Sequence, residues 1–222
     1  MRRYLVVPAT APPEALLAAR DDAWAHVPAL IFGPAPWTTR VRLTGGRDAL
    51  WLRFDVADER PWHTMTRRDD RLWEEEVVEV FLDPDGGGHH DAELEISPAN
   101  IVCDLVVVRP WPDLLSDPAW HVQGLQTRVV PFRDVAAGPD GWTATAAIPW
   151  AALRSLPCAA ALPPRPGDEW RFNVYRIKRP HGPARPDHEV VYAAWSPTGG
   201  PSFHVPEAFG VLAFESFESG SG

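Results

Sequence analysis

Trp73 stands directly before an acidic run, Glu74-Glu75-Glu76, and three residues later a single carboxylate, Glu79, interrupts the apolar stretch Val77-Val78-Glu79-Val80-Phe81-Leu82. A flat ring beside carboxylates suits one chemistry above others. A pyranose has one apolar C–H face and a rim of hydroxyls, so its binder needs aromatic surface flanked by carboxylates, amides or guanidinium groups. If stacking on Trp73 buries about 120 Å² of apolar area, the gross gain is about 3 kcal/mol. Association costs remove much of that, so Kd is expected between micromolar and millimolar. Alternation puts Val78, Val80 and Leu82 on one side of the strand and Val77, Glu79 and Phe81 on the other. Glu79 therefore faces solvent or a polar pocket, and burial there would require a partner. Glu93 and Glu95 alternate with Leu94 and Ile96 in the same way. Asn173, Arg176 and Lys178 are available donors, and either a salt-bridge network or a hydroxyl-binding cluster fits them.

The elements that must position these groups read as strands. Thr39 to Leu43 and Ala49 to Val56 flank Thr-Gly-Gly-Arg-Asp and form a hairpin with Leu52, Phe54 and Val56 on one face. Further strands are expected at Tyr4 to Val7, Glu76 to Asp83, Ala92 to Ser97, Ile101 to Val108, His121 to Phe132, Trp142 to Ile148, Asp168 to Lys178, Val190 to Ser196 and Phe209 to Phe214. Short helices are expected at Ala15 to Arg20, behind a Pro-Pro-Glu start, and at Trp150 to Leu156. No helices of crossover length alternate with the strands, which argues against a parallel α/β sheet. The expectation is all-β: a single antiparallel β-sandwich, jelly-roll or immunoglobulin-like, of about ten strands with short peripheral helices. It forms one domain over 1–222, with an N-terminal strand and irregular lead-in over 1–38, a surface loop over 159–166 and a frayed Ser/Gly-rich end over 216–222.

Composition limits the partners. Acidic residues outnumber basic ones 30 to 21, a net charge of −9, so no positive field exists to release counterions from phosphates. Nucleic acid and anionic membranes are not expected partners. Hydrophobic residues at 45% and charged residues at 23% are those of a globular chain, despite 25 prolines. Only Tyr-Leu-Val-Val separates the arginines at 2 and 3 from Pro8, too short for a signal peptide, so a soluble, cytoplasmic protein is expected. Cys103 and Cys158 are expected to be free thiols.

Several segments together resemble carbohydrate-binding module family 9, a β-sandwich family related in fold to DOMON domains. Asp21-Asp22-Ala23-Trp24 is similar to the family's opening, and Trp73 through Asp83 to its Trp-x-x-Asp-x-Val-Glu-Ile-Phe-Ile-Asp strand. Trp142 through Ile-Pro-Trp150, Trp170-Arg-Phe-Asn173, Trp195-Ser-Pro and Phe203-His204-Val-Pro-Glu-Ala-Phe-Gly210 resemble later segments of the family. The resemblance implies non-catalytic binding of a mono- or oligosaccharide. Family members clamp a terminal sugar between two tryptophans. Here the first aligns with Trp73 and the second with Phe203, while an arginine that assists the sugar falls near Glu93 or Glu95. The resemblance, joined to the strand alternation and the later-strand donors, gives as expected contacts Trp73, Glu79, Glu95, Asn173, Arg176, Trp195, Phe203 and His204, with six of these, Trp73, Glu79, Asn173, Arg176, Phe203 and His204, expected to converge on one concavity.

Family members also carry structural calcium, and hard oxygen ligands abound at Asp55, Asp58, Asp69, Asp70, Asp83 and Asp85. Asp83 and Asp85 are the candidates, although Asp83-Pro-Asp-Gly lacks EF-hand spacing; otherwise no cofactor is required. The pair His89-His90 beside them reads as a polar hairpin tip. Three other classes stay open. A sandwich of this kind can be a structural or protein-interaction module without a sugar site. It can carry haem, for which Met65 is the only internal methionine. It can process glycosides with Glu79 and Glu95, although no catalytic motif specifies this.

Overall fold

The structure is a computed structural model, and it describes residues 1–132, 140–158, 160–182 and 189–217. Ala159 of the expected surface loop and residues 218–222 of the expected frayed end fall outside them. Among the described residues there are thirteen strands: β1 Arg3–Pro8, β2 Leu30–Phe32, β3 Thr39–Gly45, β4 Ala49–Ala57, β5 Val77–Asp83, β6 Asp91–Ile96, β7 Val102–Arg109, β8 Leu115–Asp117, β9 Gln126–Phe132, β10 Gly141–Pro149, β11 Glu169–Lys178, β12 Val191–Ala194 and β13 Gly210–Phe214. They form one hydrogen-bonded path, β8-β7-β6-β5-β11-β13-β1-β3-β4-β10-β9, with β12 on β11 and β2 on β3.

The hairpin β3/β4 pairs Leu43 with Leu52 and Val41 with Phe54, as the alternation requires. The strand count and the pairing correct the expectation. β2 and β8 are three-residue strands with no alternation long enough to read, and the run from His121 narrows to Gln126–Phe132. The sheet is mixed instead of purely antiparallel. β1 runs parallel to β13 through Arg3 to Val6 and then parallel to β3 through Val7 and Pro8, which hands the chain from one half of the sheet to the other. Such pairings join residues far apart in sequence and leave no local turn signal.

Both halves bury their inner faces in one core. Val78, Val80 and Leu82 of β5 and Phe172 and Val174 of β11 share a cluster with Leu43 of β3, Leu52, Phe54 and Val56 of β4 and Trp142 of β10. Two short helices, α1 Pro13–Leu17 and α2 Asp21–Trp24, cover the other face of β4, where Leu16 and Trp24 pack on Trp51. Trp24 donates its indole N–H to the Leu16 carbonyl, and Asp21 accepts from Arg53. A third helix, α3 Trp150–Leu153, seats Trp150 edge-on against Trp170. Most of the tryptophans thus serve packing. No helix among the described residues is long and apolar enough to cross a membrane.

Candidate functional site

The face of β5, β6, β7 and β11 opposite the main core carries the acidic chemistry. Register places Tyr175, Glu79, Glu95 and Cys103 in one row across β11, β5, β6 and β7, and Asn173, Phe81, Glu93 and Leu105 in the next. Glu79 and Glu95 therefore stand directly opposite each other. Like charges in that arrangement destabilise a sheet, so the local rule is broken where function would require it. Glu79, Glu93 and Glu95 are 2%, 4% and 1% exposed. They floor a cleft of about 350 Å³ whose walls include Trp73, Tyr192, Phe203 and His204.

Each wall has its own support. Trp73 lies on a 3₁₀ turn, Leu72–Glu74, anchored by the fully buried Leu72; the residue itself is 37% exposed, with the Arg71 guanidinium 5.5 Å from the ring centroid. Glu75 accepts from the Thr64 amide at 2.7 Å and the Met65 amide at 3.2 Å, which pins the preceding loop to the turn. Phe203 stacks on Tyr175 at 4.2 Å, and the Tyr175 hydroxyl donates to the Phe203 carbonyl at 2.9 Å. His204 stacks on Phe81 at 5.1 Å, and its Nδ1 is 3.8 Å from Glu93 Oε2.

The electrostatics are unbalanced. Glu79 Oε1, Glu93 Oε2 and both oxygens of Glu95 are buried with no hydrogen-bond partner. Among the described residues, no lysine or arginine forms an ion pair with the three. Burial pushes the Glu93 carboxyl up to about 7. Burial, then neighbouring carboxylates, hold Glu79 and Glu95 well above the usual range. Burial pushes His204 down to about 4, so its imidazole is neutral at pH 7 and adds no positive charge.

Solved structures share this architecture. A candidate carbohydrate-binding protein from Bacteroides uniformis superposes with TM-score 0.72 at 19% identity, covering 96% of this chain and 99% of the other. Two structures of a carbohydrate-binding module of family 9 from Caldicellulosiruptor kristjanssonii superpose with TM-scores 0.65 and 0.64, each at 16% identity, covering 100% of this chain and 97% and 99% of theirs. This chain has the fold of carbohydrate-binding module family 9. The two Caldicellulosiruptor structures hold cellotriose and glucose respectively. No protein-family profile matches the chain, and no curated protein matches it.

Within this family 9 fold, Trp73, Glu79, Glu95, Phe203 and His204 line the one cleft, and three other sequence-derived residues lie elsewhere. Arg176 points into the interior beside Val174. It donates to the Trp37 and Ala57 carbonyls at 2.9 and 3.0 Å and to Asp58 Oδ2 at 3.0 Å. Its position two residues after Val174 on one strand dictates that direction. Trp195 packs on Phe172 at 4.8 Å inside the core, over Gly210, where a Cβ would stand 2.3 Å from the indole ring. Asn173 faces the cleft side but is spent on structure. Its amide donates to the Tyr175 hydroxyl and to the Ser196 carbonyl, and its oxygen accepts from the Ser196 amide, so it holds the Tyr175–Phe203 stack from behind.

The expected calcium ligands are also engaged. Asp83 accepts from the Gly86 and Gly88 amides at 2.9 Å, and Asp85 from the Gly87 amide at 3.0 Å, so both shape the β5/β6 turn. The salt-bridge network read for the late donors does exist, with other carboxylates. Lys178 donates to Asp58 at 2.7 Å and Glu76 at 2.8 Å, beside Arg176. Glu93 completes the floor of the cleft and Tyr175 backs its Phe203 wall, although neither is among the eight expected contacts. The signal for Glu93 is its spacing of two from Glu95; Tyr175 has the same spacing from Asn173.

Proposed function

We propose that this chain binds carbohydrate, without catalysis, in the cleft between Trp73 and the Phe203–His204 loop. The observation that carries this is a partly exposed indole forming the wall of a cleft floored by buried carboxyl groups. That pairing of apolar surface and hydroxyl-seeking oxygens is what a pyranose requires. The fold, shared with modules crystallised on glucose and cellotriose, supports it as analogy. Phe203, covered on one side by Tyr175, provides a narrower second wall than a tryptophan would. The two halves of the sheet, sharing one core, are read as the layers of one β-sandwich, and 1–222 as one domain. Met65 packs against the cluster of Leu72 and Val77, which favours a structural part for it over haem ligation.

Calorimetric titration of glucose, cellotriose and a panel of other glycans tests the reading. The wild type is expected to bind one of them with micromolar to millimolar Kd. Trp73→Ala is expected to weaken that binding at least tenfold, while Tm moves by less than about 4 °C because the ring is partly solvent-facing. Equal affinity in the two proteins would remove Trp73 from the site.

A further inference from the structure

We propose that Glu79, Glu93 and Glu95 seat one hard divalent cation, of the calcium or manganese class, on the floor of the cleft. One oxygen from each residue lies within 4.8 Å of the other two. Oxygens held 2.3–2.6 Å from a calcium ion stand at most about 5 Å apart, so the spacing of the three is within the reach of one ion. The register explains the clustering: Glu79 and Glu95 are cross-strand partners, and Glu93 is two residues from Glu95 on the same face.

The second observation is that these oxygens are buried, unsatisfied and gathered at one point. Buried, unsatisfied oxygens recur at the isolated Asp91 but not at Asp58, Asp83 or Asp104. Asp58 takes Arg176 and Lys178, Asp83 takes two backbone amides, and Asp104 takes Arg68, His121 and the Val122 amide. Glu79 Oε1, Glu93 Oε2 and both Glu95 oxygens meet no donor at hydrogen-bond distance, and Glu93 and Glu95 can hydrogen-bond each other only where one of them holds a proton. A neutral sugar alone does not account for that arrangement, because three glutamines would meet hydroxyls equally well without burying acids that must hold protons to stay uncharged. An ammonium group offsets one carboxylate, whereas a divalent ion offsets two and binds all three oxygens at once. Three protein oxygens are fewer than the six to eight that calcium takes, and the cleft leaves the remaining positions to water or to ligand hydroxyls.

The seat stands apart from the sugar reading, because it can fill without a sugar. Chelator-treated protein is titrated calorimetrically with calcium chloride and with manganese chloride near neutral pH. A single site is expected for at least one of the two ions, with Tm rising on saturation. Glu79→Gln and Glu95→Gln, each confirmed folded by far-UV circular dichroism, are expected to weaken binding at least tenfold and to lose the Tm rise. Asp22→Asn, at an exposed side chain of α2, is expected to leave both unchanged. No heat and no Tm rise at millimolar metal in the wild type would overturn the proposal, as would undiminished binding in both glutamine variants. Glucosamine hydrochloride is titrated in chelator as well. Its binding to the wild type and not to Glu95→Gln, with no response to metal, would make the floor an ammonium site instead. Metal binding without any sugar binding would uphold the seat and defeat the sugar reading; sugar binding without metal binding would do the reverse.

Discussion

Replacing Arg176 by alanine is expected to destabilise the protein by about 3–5 kcal/mol, the cost of leaving a buried charge and its partners uncompensated. At roughly 2–4 °C per kcal/mol for a chain of this size, Tm should fall by about 6–20 °C. Arg176 is 1% exposed and ties three points together: the carbonyls of Trp37 and Ala57 and the carboxylate of Asp58. Alanine leaves both carbonyls and one Asp58 oxygen without a donor in the interior. Lys178 still holds the other Asp58 oxygen and Glu76, so Asp58 keeps part of its compensation. Arg176→Met would restore apolar packing and none of the hydrogen bonds, and should remain well below the wild type. Thermal unfolding measures both. Glycan affinity should be unchanged below the transition, because the guanidinium lies on the core side of β11. Lost affinity at an unchanged Tm would return Arg176 to the binding site.

The carboxyl floor predicts an unusual pH profile for the protein in chelator. Glu93, pushed up to about 7, and Asp91, pushed up to about 8 by burial first and neighbouring carboxylates second, hold protons in the folded state that the unfolded chain releases near pH 4 to 4.5. Glu79 and Glu95 shift in the same direction. The folded state then binds more protons than the unfolded one, so stability falls as pH rises from about 4.5 to about 8. His204 acts oppositely, because its folded value near 4 lies below its ordinary 6.5, and its contribution rises with pH only up to about 6.5. Four carboxyls outweigh one imidazole, and above pH 6.5 nothing from His204 opposes them. Glu93 alone, shifted from 4.5 to about 7, corresponds to on the order of 3 kcal/mol by pH 8. Glu93→Gln is therefore expected to be more stable than the wild type at pH 8 and to differ little from it at pH 4.5. Urea unfolding at the two pH values decides this. A wild type more stable at pH 8 than at pH 5, with Glu93→Gln less stable than it at both, would refute the assignment.

How far the residues announced this arrangement depends on range. Period-two alternation divides β5 correctly into Val78, Val80 and Leu82 on the core face and Val77, Glu79 and Phe81 on the other. The Thr-Gly-Gly-Arg-Asp turn between β3 and β4 is equally local and equally legible. The same alternation already separates Arg176 from Asn173, since Arg176 shares the parity of Phe172 and Val174; counting it as a ligand contact overrode that parity. Its partner Asp58, 118 residues away, leaves no trace in a local pattern. Trp195 shows the same limit from the other direction. An exposed platform and a core tryptophan look alike in sequence until the glycine beneath, Gly210, is known to be its neighbour. The absence of a basic partner for Glu79, Glu93 and Glu95 is likewise a property of the register. It becomes visible only when β5, β6 and β11 are laid side by side.

The most direct measurement is a crystal structure of the protein with its best-bound glycan. The sugar ring is predicted to lie against Trp73 in the cleft, with at least one hydroxyl within hydrogen-bonding distance of Glu79, Glu93 or Glu95, or of an ion held by them. A glycan seated elsewhere, such as the cavity lined by Arg47, Pro164, Arg165 and Phe217, with the Trp73 cleft holding only solvent, would contradict the account.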